Sequence, residues 1–395
     1  MSFPEPREPV LRRAAWLAAI VVLGAAELWW AVGAHSFHDL RVYQGALRWW
    51  MDGGDLYAYV MPPANRYGFT YPPFTAILLV PLSLMPIRVA SLGTIVTTVG
   101  ATALIADRLI DRLLPRITMP RYRIVGIASL AVLALFATRT TLAEGQINMY
   151  VLALVVVDLL ALPGGRWRGV GVGLAAAIKL TPAVFIVYLF VARQRRSAAL
   201  ACATFAACGL IGIALAPHKS IEFWTRVLWQ TDRVGDAGSG SNASIRGVLA
   251  RAMTDDVTLW WLAAVGVLTM MWWRRVRRAT AQGDDIGALA TTGVFACLVS
   301  PITWVHHQVF LIPALAVLTR WAWEPGHLAG VRRAVAVSVY VALVVQLNEI
   351  VPDACVWISL GLFLLLPLRG RNNPLESHPA DSRVNHSPDP ARAAQ

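Results

Sequence analysis

"GVGVGLAAAIKLTPAVFIVYLFVA" (residues 169–192) decides the fold. It is apolar apart from Lys179 and Thr181, and one membrane helix needs roughly 20 apolar residues. Yet Arg166 and Arg168 precede it, and Arg193, Arg195 and Arg196 follow it. Arginines gather on the cytoplasmic side of a membrane, so a segment with two basic flanks goes in and comes back. Two half-helices of about 10 residues then meet at Lys179–Pro182, where Thr181 suits an N-cap and Pro182 the first helical position. The competing reading is one Pro-kinked span that violates the charge rule. Broken helices at depth are tolerated where they line a protein cavity, and they mark binding sites.

The rest of the chain has the same character. Of 395 residues, 57% are hydrophobic and 15% charged, whereas soluble domains run near 45–50% apolar and about 25% charged. This composition excludes a soluble catalytic domain and implies many spans. The polar N-terminus "MSFPEPREPVLRR" lacks a small-residue cleavage site after the first apolar run, so that run reads as a retained span. The net charge of +12 sits on arginines between apolar runs, which points to membrane topology and not to nucleic acid. Cys202, Cys208, Cys297 and Cys355 fall inside apolar runs without metal-ligand spacing.

Further spans are expected at 14–34, 88–106, 124–142, 148–162, 197–216, 256–273, 286–300, 308–323, 334–350 and 354–368, with a short or broken helix at 74–87. The expected fold is an all-α polytopic bundle of about 10–12 membrane helices, broken or re-entrant ones included. Residues 1–368 form one membrane domain, and 369–395, rich in Pro, Ser, Asn and His, form a disordered cytoplasmic tail. With the Arg-rich connections and both termini in the cytoplasm, one set of polar loops shares the outer face: 35–73, "AEGQIN" (143–148), 217–253, "ITWVHH" (302–307) and "NEIVPD" (348–353).

Those loops carry the chemistry. Asp39 lies in "FHDLRVY" beside Arg41 and Tyr43, and "FTYPPF" with Tyr71 returns the chain to the membrane. Trp and Tyr favour the interface on their own, but aromatics also stack on sugars, and a carboxylate can take a proton from a hydroxyl. Asp52 and Asp55, beside Gly53–Gly54, read as turn residues. Glu144, Gln146 and Asn148 either bind a polar ligand or merely cap a helical hairpin. Arg139 lies about one turn earlier, placed to pair with Glu144 or with an outer-face anion. His306 and His307, beside Trp304, can act as base, acid or ligand. Neighbours on a helix point about 100° apart, which disfavours one shared metal ion.

Lys179 is one of two lysines, with Lys219. An ionisable residue within a span is a functional candidate by default, and beside a half-helix start it suits a phosphate; snorkelling or pairing with a buried acid is the alternative. In 217–253, the first half with Phe223, Trp224, Leu228 and Trp229 suits an interfacial helix, "DAGSGSNAS" a flexible turn, and 244–253 a second helix. Asn242 in "NAS" matches the three-residue glycosylation acceptor, a pattern common by chance.

Taken together, "FHDLRVY", "FTYPPF", "GQIN", "AIKLTPAVF", "FWTRVLWQTDRVG", "SNASIRGVL" and "LVSPITWVHH" resemble glycosyltransferase family 87, over most of 35–325. These are the polyprenyl-phosphate-mannose-dependent mannosyltransferases of actinobacteria. Within the family, the chain looks most similar to α-(1→2)-mannosyltransferases that extend phosphatidylinositol mannosides or branch lipomannan. The resemblance implies a GT-C-type bundle in the cell membrane with a periplasmic active site and inversion at the anomeric carbon. It implies a mannosyl lipid phosphate as donor, a glycolipid acceptor and no other cofactor. Its catalytic aspartate falls on Asp39. Lys179, Arg41, His306 and His307 are then expected at the donor phosphate, and Tyr43, Tyr71, Glu144, Gln146, Asn148 and Trp304 at the acceptor sugar. Many GT-C relatives carry two acids in the first loop; here the neighbour is His38, so no metal is expected. The rival reading is a transporter or flippase for a lipid-linked sugar, opposed by the one-sided polar clustering and the lack of a visible repeat.

Overall fold

The computed structural model describes residues 37–62, 67–113, 119–162 and 164–369, with isolated positions before 37. Most of the first expected span and the tail after 369 lie outside the described residues. Every regular element among those described is helical.

Helix α1 (His38–Met51) is amphipathic: Leu40, Tyr43 and Leu47 are buried while Trp49 and Met51 are exposed. α2 (Pro73–Ser83) starts on a proline, whose missing N–H costs nothing in a first turn. α3 (Ile87–Leu113) follows, and then α4 (Arg121–Ala134) and α5 (Phe136–Glu144). α6 (Asn148–Val156) runs on into a π-helical turn, Val157–Ala161. α7 (Val170–Ile178) and α8 (Ala183–Val191) flank the break at Lys179–Pro182, and α9 (Arg195–Leu215) and α10 (Pro217–Thr225) come next. The second half comprises α11 (Ile245–Ala252), α12 (Thr258–Ala281), α13 (Asp285–Val299), a 3-10 turn (Val305–Leu311), α14 (Ile312–Trp323), α15 (Ala329–Val344) and α16 (Ala354–Leu365).

Among the described residues, α3 and α9 are each long and apolar enough to cross a membrane, and α4–α5 makes a third if the bent pair is one span. Shorter apolar helices pack around them, as expected of an all-α polytopic membrane protein. The expected span 124–142 differs from a straight rod: the chain bends by 76° between α4 and α5. Leu135 is extended there (φ −61°, ψ 134°), which interrupts the helical ladder without a proline. α13 is buried at every residue from Ile286 to Leu298 and so sits at the centre.

Residues 169–192 fold as a hairpin. A β-carbon on Gly169 would lie 2.1 Å from the Ser197 carbonyl oxygen, so the start of α7 touches the start of α9. If α8 continued the line of α7, Val191 would stand about 33 Å from Gly169 at 1.5 Å per residue. The six residues from Val191 to Ser197 reach at most about 21 Å. Hence α8 must return beside α7, and both outer ends meet α9. The start of α7 is also held by Asp158 of the π-helical turn, which is 1% exposed. It accepts from Gly169 N at 2.8 Å and from Val172 N at 2.8 Å, filling the role of the helix's N-cap from another element.

Candidate active site

The hairpin's inner end opens into a cavity of about 950 Å³. It is walled by the start of α1, the return stretch 67–72, the end of α5, the hairpin break, the segment 223–234 and the turn 304–307. Of the polar residues singled out in sequence, Asp39, Tyr43, Tyr71, Glu144, Gln146, Lys179, Trp304, His306 and His307 all line it. Motifs more than 100 residues apart in sequence thus share one surface.

Asp39 sits in the first turn of α1, where a negative charge suits the helix dipole. It is half-buried, and its Oδ2 accepts a hydrogen bond from Gln146 Nε2. Gln146 Oε1 accepts in turn from the Tyr71 hydroxyl at 3.2 Å. The Tyr43 hydroxyl, 2.9 Å from that of Tyr71, completes the chain as donor. Tyr43 lies four residues after Asp39, on the same face of α1. Burial lifts the Asp39 carboxyl above the ordinary carboxylate range, against the opposing pull of Gln146, His38 and Lys179.

Gly145 sets this geometry. It closes α5 in the left-handed region (φ 69°), and a β-carbon there would come within 2.7 Å of Leu40 Cβ. Only glycine combines that backbone with the close approach to α1 that brings Gln146 to Asp39.

Lys179 adjoins this chain of hydrogen bonds, its Nζ 5.6 Å from the centroid of the Tyr71 ring. Lys179 Nζ donates to Asn148 Oδ1 at 2.7 Å and lies 3.0 Å from His307 Nε2. Asn148 is fully buried beneath the lining, and its Nδ2 donates to the His306 carbonyl at 3.0 Å. His307 Nδ1 accepts from the Trp304 backbone N–H at 3.3 Å, which fixes its ring. The two histidine rings meet edge to face, 4.6 Å apart at 82°. "AEGQIN" therefore does more than cap a hairpin: it supplies the partner of Asp39 and the partner of Lys179.

Other residues lie elsewhere. Arg41 is exposed and outside the cavity lining; two residues along a helix turn a side chain about 200° away from Asp39. Arg139 donates to the Val344 carbonyl and packs over the Phe136 ring at 5.5 Å. Asp55 is more than a turn residue, since it pairs with Lys219 at 2.7 Å and accepts from Tyr57 N at 2.9 Å. Asn242 is fully buried, bonded to Pro301 O at 3.2 Å and Thr303 N at 2.9 Å, which makes it a structural tie. His38, Tyr67, Gln230, Thr231, Arg233 and Gln346 also line the cavity. His38 was visible beside Asp39; the others carry no signal that sets them apart from ordinary loop residues. Among the described residues, no group of three or more His, Cys, Asp and Glu is gathered as metal ligands.

The profile of glycosyltransferase family 87 matches residues 69–301. A polyprenol-phosphate-mannose-dependent alpha-(1-2)-phosphatidylinositol mannoside mannosyltransferase of Mycobacterium tuberculosis is 34% identical over 333 residues, 80% of this chain and 77% of its own. Its namesake in Mycolicibacterium smegmatis is 33% identical over 311 residues, covering 72% and 70%. A pentamannoside mannosyltransferase of the same organism, also polyprenol-phosphate-mannose-dependent, is 32% identical over 331 residues, covering 80% and 78%. No solved structure matches.

Proposed function

The chain belongs to glycosyltransferase family 87, and we propose that it transfers mannose from polyprenyl-phosphate-mannose to a mannosylated phosphatidylinositol. The reaction takes place at the periplasmic face of the cell membrane, with both termini cytoplasmic, and forms an α-(1→2) linkage with inversion. One observation carries this reading: a single cavity gathers an oriented carboxylate, a half-buried lysine and a histidine pair.

The steps follow from the chemistry of those groups. The acceptor hydroxyl oxygen attacks the anomeric carbon as the bond to the phosphate oxygen breaks. Asp39 takes the hydroxyl proton as general base. Polyprenyl phosphate leaves with the bonding electrons and needs no proton, only nearby cations and donors. Lys179 Nζ donates one N–H to Asn148, which leaves it donor capacity for a phosphate oxygen. His306 and His307 complete that part of the lining. Tyr71, Glu144 and Trp304 offer hydrogen bonds and a stacking face to the acceptor sugar. No metal enters the scheme, so chelators leave turnover unchanged.

Asp39→Asn tests it. The amide keeps size and hydrogen bonding but cannot accept the proton, and a general base contributes about 10²–10⁴-fold. Purified variant, incubated with radiolabelled polyprenyl-phosphate-mannose and phosphatidylinositol mannosides, should bind donor yet form almost no product. Residual activity above about a tenth of wild type would be too small a loss for a general base, and would move that role to Glu144 or a histidine.

A further inference from the structure

A lipid-linked donor presents two unlike parts at one point: an anionic phosphodiester and an apolar chain. The cavity has one segment with the same division. Phe223, Val227 and Leu228 line it with apolar surface, and Thr231 and Arg233 follow with polar surface. Among the described residues, Arg233 is the one arginine in the lining.

Its side chain is positioned and incompletely satisfied. One terminal nitrogen donates to the Tyr57 carbonyl, while Nε is buried with no hydrogen-bond partner. Buried donors are normally paired; an unpartnered Nε also occurs in Arg246, Arg275 and Arg332, and what sets Arg233 apart is that its guanidinium belongs to the cavity wall. A planar fork of N–H groups fits phosphate oxygens better than a point charge does. The turn that bears it is fixed from several sides. Trp304 Nε1 donates to the Val234 carbonyl at 3.2 Å, and Arg246 Nη1 to Thr231 Oγ1 at 3.2 Å. A β-carbon on Gly235 would stand 2.2 Å from the Trp304 ring, so ring and backbone lie in direct contact. The Tyr57 loop is anchored to α10 by the Asp55–Lys219 ion pair at 2.7 Å.

We propose that Arg233 grips the phosphodiester of the lipid-linked donor at the junction where the isoprenoid leaves past the apolar side chains of Phe223, Val227 and Leu228. This rests on the donor assignment above. The shared chemistry is a lipid phosphodiester, which the phosphatidylinositol acceptor also carries. The donor is favoured because the apolar stretch and the arginine belong to one continuous segment.

The test uses the purified full chain with polyprenyl monophosphate as competitive inhibitor against donor. In Arg233→Gln, the inhibitor's Ki and the donor KM should both rise roughly ten- to a hundredfold, the range of a charge-assisted hydrogen bond. The acceptor KM should stay at its wild-type value. Arg233→Lys, which keeps charge and loses the fork, should fall between the two. Asp55→Asn loosens the same loop without touching the guanidinium and should leave Ki unchanged. An equal rise of Ki in Asp55→Asn would mean that Arg233 acts through loop order, and overturns the proposal. So does an unchanged Ki in Arg233→Gln, and so does a rise confined to the acceptor KM, which assigns the arginine to the acceptor's phosphate. If wild-type enzyme does not use polyprenyl-phosphate-mannose, the functional reading falls and this inference falls with it. If it does and Arg233→Gln matches it, this inference alone fails.

Discussion

Gln146 offers a sharper probe of the base than Asp39 itself. Its amide donates to Asp39 Oδ2, and its oxygen accepts from Tyr71 at 3.2 Å. Gln146→Leu keeps the volume and removes both bonds. A hydrogen bond to a charged group contributes about 1.5–3 kcal/mol, and one pKa unit corresponds to about 1.4 kcal/mol. The bond favours the ionised carboxylate, so its loss raises the Asp39 pKa further. The sign then follows. Asp39 is active as the anion and its carboxyl is already raised by burial. A further rise moves the acid limb of the kcat/KM profile to higher pH and leaves activity at high pH nearer to wild type. The measurement is kcat/KM against pH for both proteins under saturating donor. An unmoved acid limb with a uniformly lowered plateau would refute the reasoning, because it would show that the Gln146 bond does not act on the titrating base.

Lys179→Met should weaken donor binding roughly ten- to a hundredfold, read from inhibition by polyprenyl phosphate, with Lys179→Arg between; unchanged affinity with a lowered Tm would give Lys179 a purely structural role. His307→Ala should also lower donor affinity, and less than additively with Lys179→Met, because the two side chains are 3.0 Å apart. His306→Ala should couple with Lys179→Met more weakly, since its ring reaches Lys179 only through His307, and coupling stronger than that of His307→Ala would reverse the assignment. Arg41→Cys, in a background lacking the exposed Cys202, should react with an impermeant thiol reagent from outside the inner membrane; reaction only after permeabilisation would invert the proposed topology.

The site was legible largely because the sequence is so apolar. Against that background every polar cluster stands out, and the charge rule sorts Asp39, Gln146 and His306 onto one side. Helix ends were legible where the chemistry is local, as at Pro73 and Pro182. The bend at Leu135 was not, since neither glycine nor proline marks it and tertiary contacts set the extended backbone. Arg41 drew notice by adjacency to Asp39, but adjacency along a helix separates side chains. Arg233 drew none: in a chain with 35 basic residues, one arginine in an outer loop looks like a solvated charge. Only the fold shows that it shares a wall with Trp304. The acceptor pattern at Asn242, common by chance, falls on a side chain held by buried bonds to Pro301 and Thr303.

The packing also bears on the choice between a transferase and a transporter. Alternating access requires that a central site open to each face in turn. Here the hairpin that presents Lys179 to the cavity is closed at its other end. Asp158 spans the α7 start with bonds to Gly169 and Val172. A β-carbon on Gly173 would lie 2.4 Å from the Ala201 carbonyl oxygen, so α7 and α9 meet backbone to backbone. Small residues at such contacts allow tight helix packing in a membrane. Opening a path there means separating that contact and exposing a buried carboxylate together with the helix N–H groups it satisfies, each costly in an apolar medium. Such a closed seam favours the transferase over the transporter. Turnover should therefore persist in detergent, where there are no two faces to connect.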